Sequence, residues 1–185
     1  GWPDAVKIAL GVLLVDWVQY GLHWLAHYVP LLWRLHQVHH ADEALDVSTS
    51  VRHHPLEVIV LASLTLMLCA ALGVPLLALA LYAVLQLAHT LFCHANIALP
   101  PALDRWLRLV LVTPDMHRVH HSVRLDEGNA NFGMVFPWWD HLFRTYCAQP
   151  AQGHQAMRLG LADGDGRGEQ GLWRALWLPF AGRGH

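Results

Sequence analysis

Apolar residues run almost unbroken from Asp4 to Tyr28 and again from Leu56 to about Cys93, and the polar positions crowd into the segments between and after these blocks. The first block predicts one long helix, with Pro3 and Asp4 suited to its start and Pro30 disfavouring helix at the residue before it. About 20 residues cross a bilayer, so the block is long enough to span. It lacks the short apolar core and small-residue cleavage site of a signal peptide, so it is expected to be retained. Leu72-Gly73-Val74-Pro75 breaks the second block into a hairpin of two helices of roughly span length. Leu103 to Val112 is shorter and carries Arg105 and Arg108, which fits a helix lying at the interface. After Pro150 the chain turns rich in Gly, Gln and Asp as far as Gly171, a loose connector, and then Leu172 to Phe180 reads as an amphipathic piece resting on a membrane surface. The expected fold is therefore all-α: a polytopic membrane helical bundle formed by residues 1–150, followed by a connector and short tail over residues 151–185.

Composition strengthens the membrane reading. Hydrophobic residues make up 55% of the 185 positions and charged ones only 14%, against about 25% charged in ordinary soluble chains. Arg34, Arg52, Arg105, Arg108, Arg118, Arg124 and Arg144 all fall in segments on one side of the predicted spans, while the Gly73 turn carries none. That asymmetry predicts a cytoplasmic location for the arginine side. The net charge of −2 and the lack of a basic stripe exclude a nucleic-acid partner. Cys69, Cys93 and Cys147 are too scattered for a disulfide framework or a thiolate cluster.

Histidine is the outlier, with 15 residues, most of them bunched. His23 and His27 lie four apart on the first helix, so their rings leave one face on successive turns. Asp16 and Tyr20 continue that stripe, and a carboxylate inside a span suggests an acceptor that orients a ligating imidazole. His36, His39 and His40 in His-Gln-Val-His-His are matched by His117, His120 and His121 in His-Arg-Val-His-His. Helical spacing would point each triplet in one direction, and Thr113-Pro114-Asp115 supplies a helix start before the second. His89 and His94 stand at the returning end of the hairpin, with His53 and His54 just before its start. A single His-x-x-x-His is more often a pair of structural histidines, but three clusters converging at one end of the spans exceed the roughly four ligands of one tetrahedral ion. Two metals are the simpler reading, and imidazole alone does not name the metal. His53, His141, His154 and His185 read as structural.

The run His-x-x-x-His, His-x-x-His-His and again His-x-x-His-His, separated by an apolar hairpin, resembles the fatty acid hydroxylase and sterol desaturase superfamily. The resemblance extends to Asp16-Trp17 with Tyr20, Leu32-Trp33-Arg34, Arg52-His53-His54-Pro55-Leu56-Glu57, His94-Ala95-Asn96-Ile97, Thr113-Pro114-Asp115-Met116-His117, and Asn131-Phe132-Gly133 leading to Trp139-Asp140. It covers roughly Asp16 to Tyr146. His141 departs from it, standing where arginine is expected, and the leading hydrophobic segment of many relatives is not part of this sequence. The resemblance implies a non-haem di-iron centre that uses dioxygen to hydroxylate or desaturate a lipid. It implies ligation by His23, His27, His36, His39, His40, His94, His117, His120 and His121, with His89 a tenth. Asp16, His54, Asp115 and Asn131 are expected to support these ligands.

Electrons would have to come from outside, because the chain has no Gly-rich dinucleotide fingerprint and no thiolate cluster. A reductase, ferredoxin or cytochrome b5-like donor is therefore expected, beside a lipid substrate and the membrane. Two other readings stay in view: a membrane zinc hydrolase acting on a lipid, and a haem-binding or metal-carrying protein without catalysis. The hydrolase is disfavoured by the absence of His-Glu-x-x-His, and the carrier by the concentration of histidines at one end of the spans.

Overall fold

In the computed structural model, which describes residues 1–162 and 171–181, every regular element is helical. The long helices are α1 (Asp4–Tyr28), α3 (Pro55–Ala71) and α4 (Leu76–Cys93), and the shorter α2 (Pro30–His40) follows α1 after a single residue. Beyond the hairpin come α5 (Pro101–Leu107), α6 (Pro114–His120), α7 (Leu125–Gly128), α8 (Trp138–Phe143) and α9 (Leu172–Trp177). Pro30, Pro55, Pro101 and Pro114 each open a helix, where a missing N–H costs nothing. Val29 is held extended between α1 and α2, as a residue before proline prefers. The hairpin reverses through Gly73 at φ +70°, a backbone conformation that a side chain would strain.

Helices α1 and α4 are long and apolar enough to cross a membrane, whereas α3, at 17 residues, is shorter. Only 33% and 22% of the apolar stretches of α1 and α4 are buried, which is unlike the core helices of a soluble protein. Leu10, Leu66, Leu76 and Val84 face outward instead. Helix α1 packs against α2, α3 and α4, while α3 and α4 hardly touch beyond their turn. At Gly11 the crossing with α4 is so close that an added Cβ would lie 2.7 Å from Ala78 Cβ.

A small apolar core of Val15, Cys69, Tyr82 and Val135 joins α1, the hairpin and the segment before α8. Beside it sits a carboxylate knot. Asp16 accepts hydrogen bonds from Tyr82 OH at 2.7 Å, Trp139 Nε1 at 2.7 Å, Val135 N at 3.1 Å and Phe136 N at 3.4 Å. Asp140 accepts from Phe132 N, Gly133 N and Thr145 Oγ1, and burial pushes its pKa up to about 6. The Asp16 bonds fasten the Phe132–Thr145 segment to α1, and the Asp140 bonds close that segment on itself.

Of the helix expected over Leu103–Val112, only the first part forms: α5 ends at Leu107, closed by an Asp104–Arg108 ion pair, and residues 109–112 leave it as a turn. The connector expected after Pro150 lies in part, at residues 163–170, outside the described residues. Its described portion bonds back to the bundle through Ala151 N to Glu127 Oε1 and Gly160 N to His121 O. The tail folds as α9 and docks on the histidine end, with Arg34 Nε donating to Pro179 O at 2.7 Å and His54 Nε2 to Leu176 O at 3.3 Å.

Candidate metal centre

The ends of α1, α2, α4 and α6 carry histidines to one place, where they form two abutting groups. His23, His27, His36, His40 and His120 make the first, and His39, His94, His117 and His121 the second. Within each group the candidate ligand atoms all lie within 4.8 Å of one another. The groups share a wall, with the His40 ring stacked on that of His121 at 4.5 Å. All nine rings are buried.

Each triplet divides between the groups rather than pointing one way. His36 and His40 enter the first group and His39 the second; His117 and His121 enter the second and His120 the first. At about 100° per residue, positions i+3 and i+4 diverge enough to serve two neighbouring centres.

The outer nitrogens are tied down. Nδ1 of His23 donates to Phe132 O at 2.9 Å, of His27 to Asn129 Oδ1 at 3.1 Å, of His36 to Glu57 Oε1 at 2.6 Å and of His120 to Ala130 O at 2.8 Å. In the second group Nδ1 of His39 donates to Thr49 O at 3.1 Å and of His94 to Thr90 O at 2.8 Å. A neutral imidazole has one N–H, so these bonds place the proton on Nδ1 and leave Nε2 with a bare lone pair.

The Nε2 atoms face each other, and Nδ1 of His117 and of His121 are buried with no hydrogen-bond partner among the described residues. Nε2 of His94 lies 3.2 Å from that of His39 and 2.9 Å from that of His117, which is 3.1 Å from Nε2 of His121. His27 and His40 meet likewise at 3.1 Å. Nε2 of His36 and of His120 are buried with no hydrogen-bond partner among the described residues. Four nitrogens around a tetrahedral ion would sit about 3.4 Å apart, so the spacing suits a cation at the centre of the second group. Protonation is not the alternative: burial, helped by neighbouring imidazoles, pushes His39, His40, His117, His120 and His121 well below their ordinary value, and burial takes His94 down to about 4.

Several expected residues stand elsewhere. His89 joins neither group; its Nε2 donates to Val112 O at 3.0 Å, because it lies more than a turn before His94 and points to the segment entering α6. Asp16 touches no imidazole, being seven residues, or about 10 Å of helix, from His23, and holds the knot described above instead. His54 caps α3 by accepting from Leu56 N. Asp115 faces His154 at 3.9 Å. Asn131, in the left-handed region at φ 55°, bonds Met116 O and the backbone of Cys147. His141 stacks on Tyr146 at 4.1 Å, and His185 lies outside the described residues.

The supporting residues found instead are Glu57 and Asn129. Glu57 is buried and accepts from both His36 and His53, and His53 stacks flat on His39 at 4.4 Å. His36, His53 and Glu57 could themselves group around an ion, but the carboxylate already receives both N–H bonds, so we read the trio as a brace for His36. A lone acid in the first turn of an apolar helix was the available signal for Glu57. The backbone acceptors Thr49, Thr90, Ala130 and Phe132 carry none in their side chains.

The architecture is thus that of a helical protein with a buried polyhistidine chamber at one end of long apolar helices. The chain belongs to the fatty acid hydroxylase family, whose model matches residues 8–145. It is 30% identical to the ornithine lipid hydroxylase OlsE of Rhizobium tropici over 99% of this chain and 53% of that protein. It is 31% identical to human alkylglycerol monooxygenase, covering 73% of this chain and 29% of that one. Against the C-4 methylsterol oxidase of Schizosaccharomyces pombe it is 31% identical over 75% of this chain and 46% of the relative. The chain therefore spans about half or less of the length of these relatives. No solved structure matches it.

Proposed function

We propose that the chain is an integral membrane, non-haem di-iron oxidoreductase that hydroxylates or desaturates a lipid. The observation that carries this reading is the set of nine buried imidazoles whose ring nitrogens converge in two groups, six of them with Nδ1 tied to an outer acceptor. His23, His27, His36, His40 and His120 hold one iron; His39, His94, His117 and His121 hold the other. Thiolates and carboxylates contribute nothing to these groups, so the ligands are neutral and leave the full charge on the metal.

When bound, the pair of irons supplies reduction of dioxygen with two external electrons and two protons, one oxygen atom entering a C–H bond and the other leaving as water; in desaturation both leave as water. The residues do the rest. Phe132 O, Ala130 O, Thr49 O, Thr90 O, Glu57 and Asn129 fix the tautomer and aim of His23, His120, His39, His94, His36 and His27, and the closed packing of the nine rings keeps bulk water away. A reductase, ferredoxin or cytochrome b5-like partner delivers the electrons.

In this reading α1, α3 and α4 span the bilayer and the histidine end faces the cytoplasm, as the arginine distribution supports. Residues 1–150 form the membrane-embedded unit, and residues 151–185 a connector and tail outside it. The relatives that oxidise ornithine lipid, alkylglycerol and methylsterol support a lipid substrate with a polar head. The test is turnover in proteoliposomes under 18O2 with a reducing system. A lipid product gaining one 18O atom, or losing two hydrogens, supports the reading; iron-loaded protein that changes no lipid counts against it.

A further inference from the structure

Of two hollows along the apolar helices, one shares a lining residue with the histidine chamber and the other shares none. The larger, of about 690 Å³, lies against Trp17, Trp24 and Leu72. Tyr20, bonded to Thr145 at 2.9 Å and stacked on Phe143 at 5.5 Å, helps to wall it, and it shares no lining residue with the histidine chamber. The other, of about 370 Å³, is the cleft where α3 and α4 diverge, floored by Val15 and Gln19 and flanked by Leu66, Leu79 and Ala83. Gln19 also lines the chamber of about 80 Å³ among His23, His36, His39, His94 and His117. Gln19 thus stands as the wall common to cleft and chamber.

The meeting point is polar in apolar surroundings. Gln19 Nε2 donates to Gln86 Oε1 at 3.4 Å, a long bond. Gln19 Oε1 and the Gln86 amide nitrogen have no other partner among the described residues. Whichever way the two amides are turned, the pair offers one free acceptor and free N–H donors. Half-buried amides at this depth are costly unless something completes their bonding.

We propose, building on the lipid-oxidase reading, that Gln19 and Gln86 bind a polar oxygen of the substrate while its tail lies in the α3/α4 cleft. The tail region from Leu76 to Gln86 is about 15 Å deep along the helix. The chamber has room for roughly two or three water-sized groups, so it admits only the few atoms next to the oxygen held at the neck. Oxidation is thereby confined to a carbon within a few bonds of that oxygen, and mid-chain and terminal carbons stay in the cleft.

The test uses 1-O-hexadecylglycerol with a diazirine near its terminal methyl, and the matching diazirine hydrocarbon without the glycerol, on the whole protein in nanodiscs. Iron is quantified in parallel. The expected result is labelling at Leu66, Leu79 or their neighbours, favouring the glycerol probe by about tenfold or more, as a site built around a hydrogen-bonded oxygen should. Ala83→Trp, which fills the exposed cleft, should abolish that labelling with iron content unchanged. In Gln19→Leu/Gln86→Leu the preference for the glycerol probe should fall to near one while the cleft still labels. Labelling around Trp17 and Phe143, insensitivity to Ala83→Trp, or a glycerol preference that survives the double glutamine variant would each overturn the proposal. Labelling needs no turnover, so protein that binds no iron refutes the di-iron reading separately.

Discussion

Two buried polar clusters sit a few turns apart on α1 and are finished in opposite ways. Around Asp16 and Asp140 every carboxylate oxygen receives an N–H or O–H donor. Around the histidines, six Nδ1–H groups point outward to carbonyls and one carboxylate, and Nε2 atoms converge inward on one another. A completed network is structure; one left open in a single direction is a site for a cation. The contrast separates the two roles of buried polar residues where burial alone, nearly complete in both clusters, does not.

The largest expected effect breaks the open cluster. His39→Ala and His120→Ala should each empty one group while sparing the other, halving the bound metal and abolishing activity. Loss of both metals from either variant would mean that the groups load as one unit, and full retention would remove that residue from the ligand set.

Breaking the closed cluster should act on stability instead. Tyr82→Phe removes one donor to a buried carboxylate, costing about 1.5–3 kcal/mol, and Asp16→Ala should cost more by leaving Tyr82 OH and Trp139 Nε1 unpaired. Denaturation midpoints and metal content, measured together, check this: metal per folded chain should stay constant. A Tyr82→Phe protein of unchanged stability that loses metal would reverse the assignment.

Glu57→Gln sharpens the comparison from inside the chamber, since it keeps the shape but weakens the hold on His36. Such supporting changes cost about 10–100-fold in metal affinity or activity, and competition with a chelator would measure it. The same assay on Asn129→Ala should give a smaller loss, because its bond to His27 is longer and uncharged.

Acidification of the metal-free protein should show the two clusters pulling in opposite directions. His39, His40, His94, His117, His120 and His121 are all depressed. Their contribution is present above the unfolded value near 6.5 and is lost as pH falls towards the folded values. Asp140, raised to about 6, contributes below its unfolded value and loses that contribution as pH rises through about 6. Six imidazoles outweigh one carboxyl, so the apoprotein should melt lower at pH 5 than at pH 7. A melting temperature that rises on acidification would mean the chamber histidines are not buried neutral.

Much of this was legible in the chain. Prolines at helix starts and the Gly73 turn set the bounds of α1, α3 and α4, and histidine spacing picked out eight of the nine residues of the two groups, His94 coming from the family resemblance. Spacing did not reveal that the triplets divide, because a shared helical face is wide enough for two centres. It also assigned Asp16 by its stripe, whereas two turns of helix carry that carboxylate away from His23 and into reach of Tyr82 and Trp139. His89 fell to the same ambiguity: a histidine near a cluster in sequence can turn to a backbone carbonyl. Support by Thr49, Thr90, Ala130 and Phe132 depends on main-chain oxygens placed by tertiary contacts, which no residue type announces.

The central claim is that two groups of neutral imidazoles hold two irons, and the most direct measurement is iron content with Mössbauer spectroscopy on detergent-purified protein grown on iron-57. The account predicts about two irons per chain, high-spin and nitrogen-ligated, coupled and responsive to dioxygen after reduction. A single zinc, or a haem spectrum, in protein from iron-replete cells would contradict it.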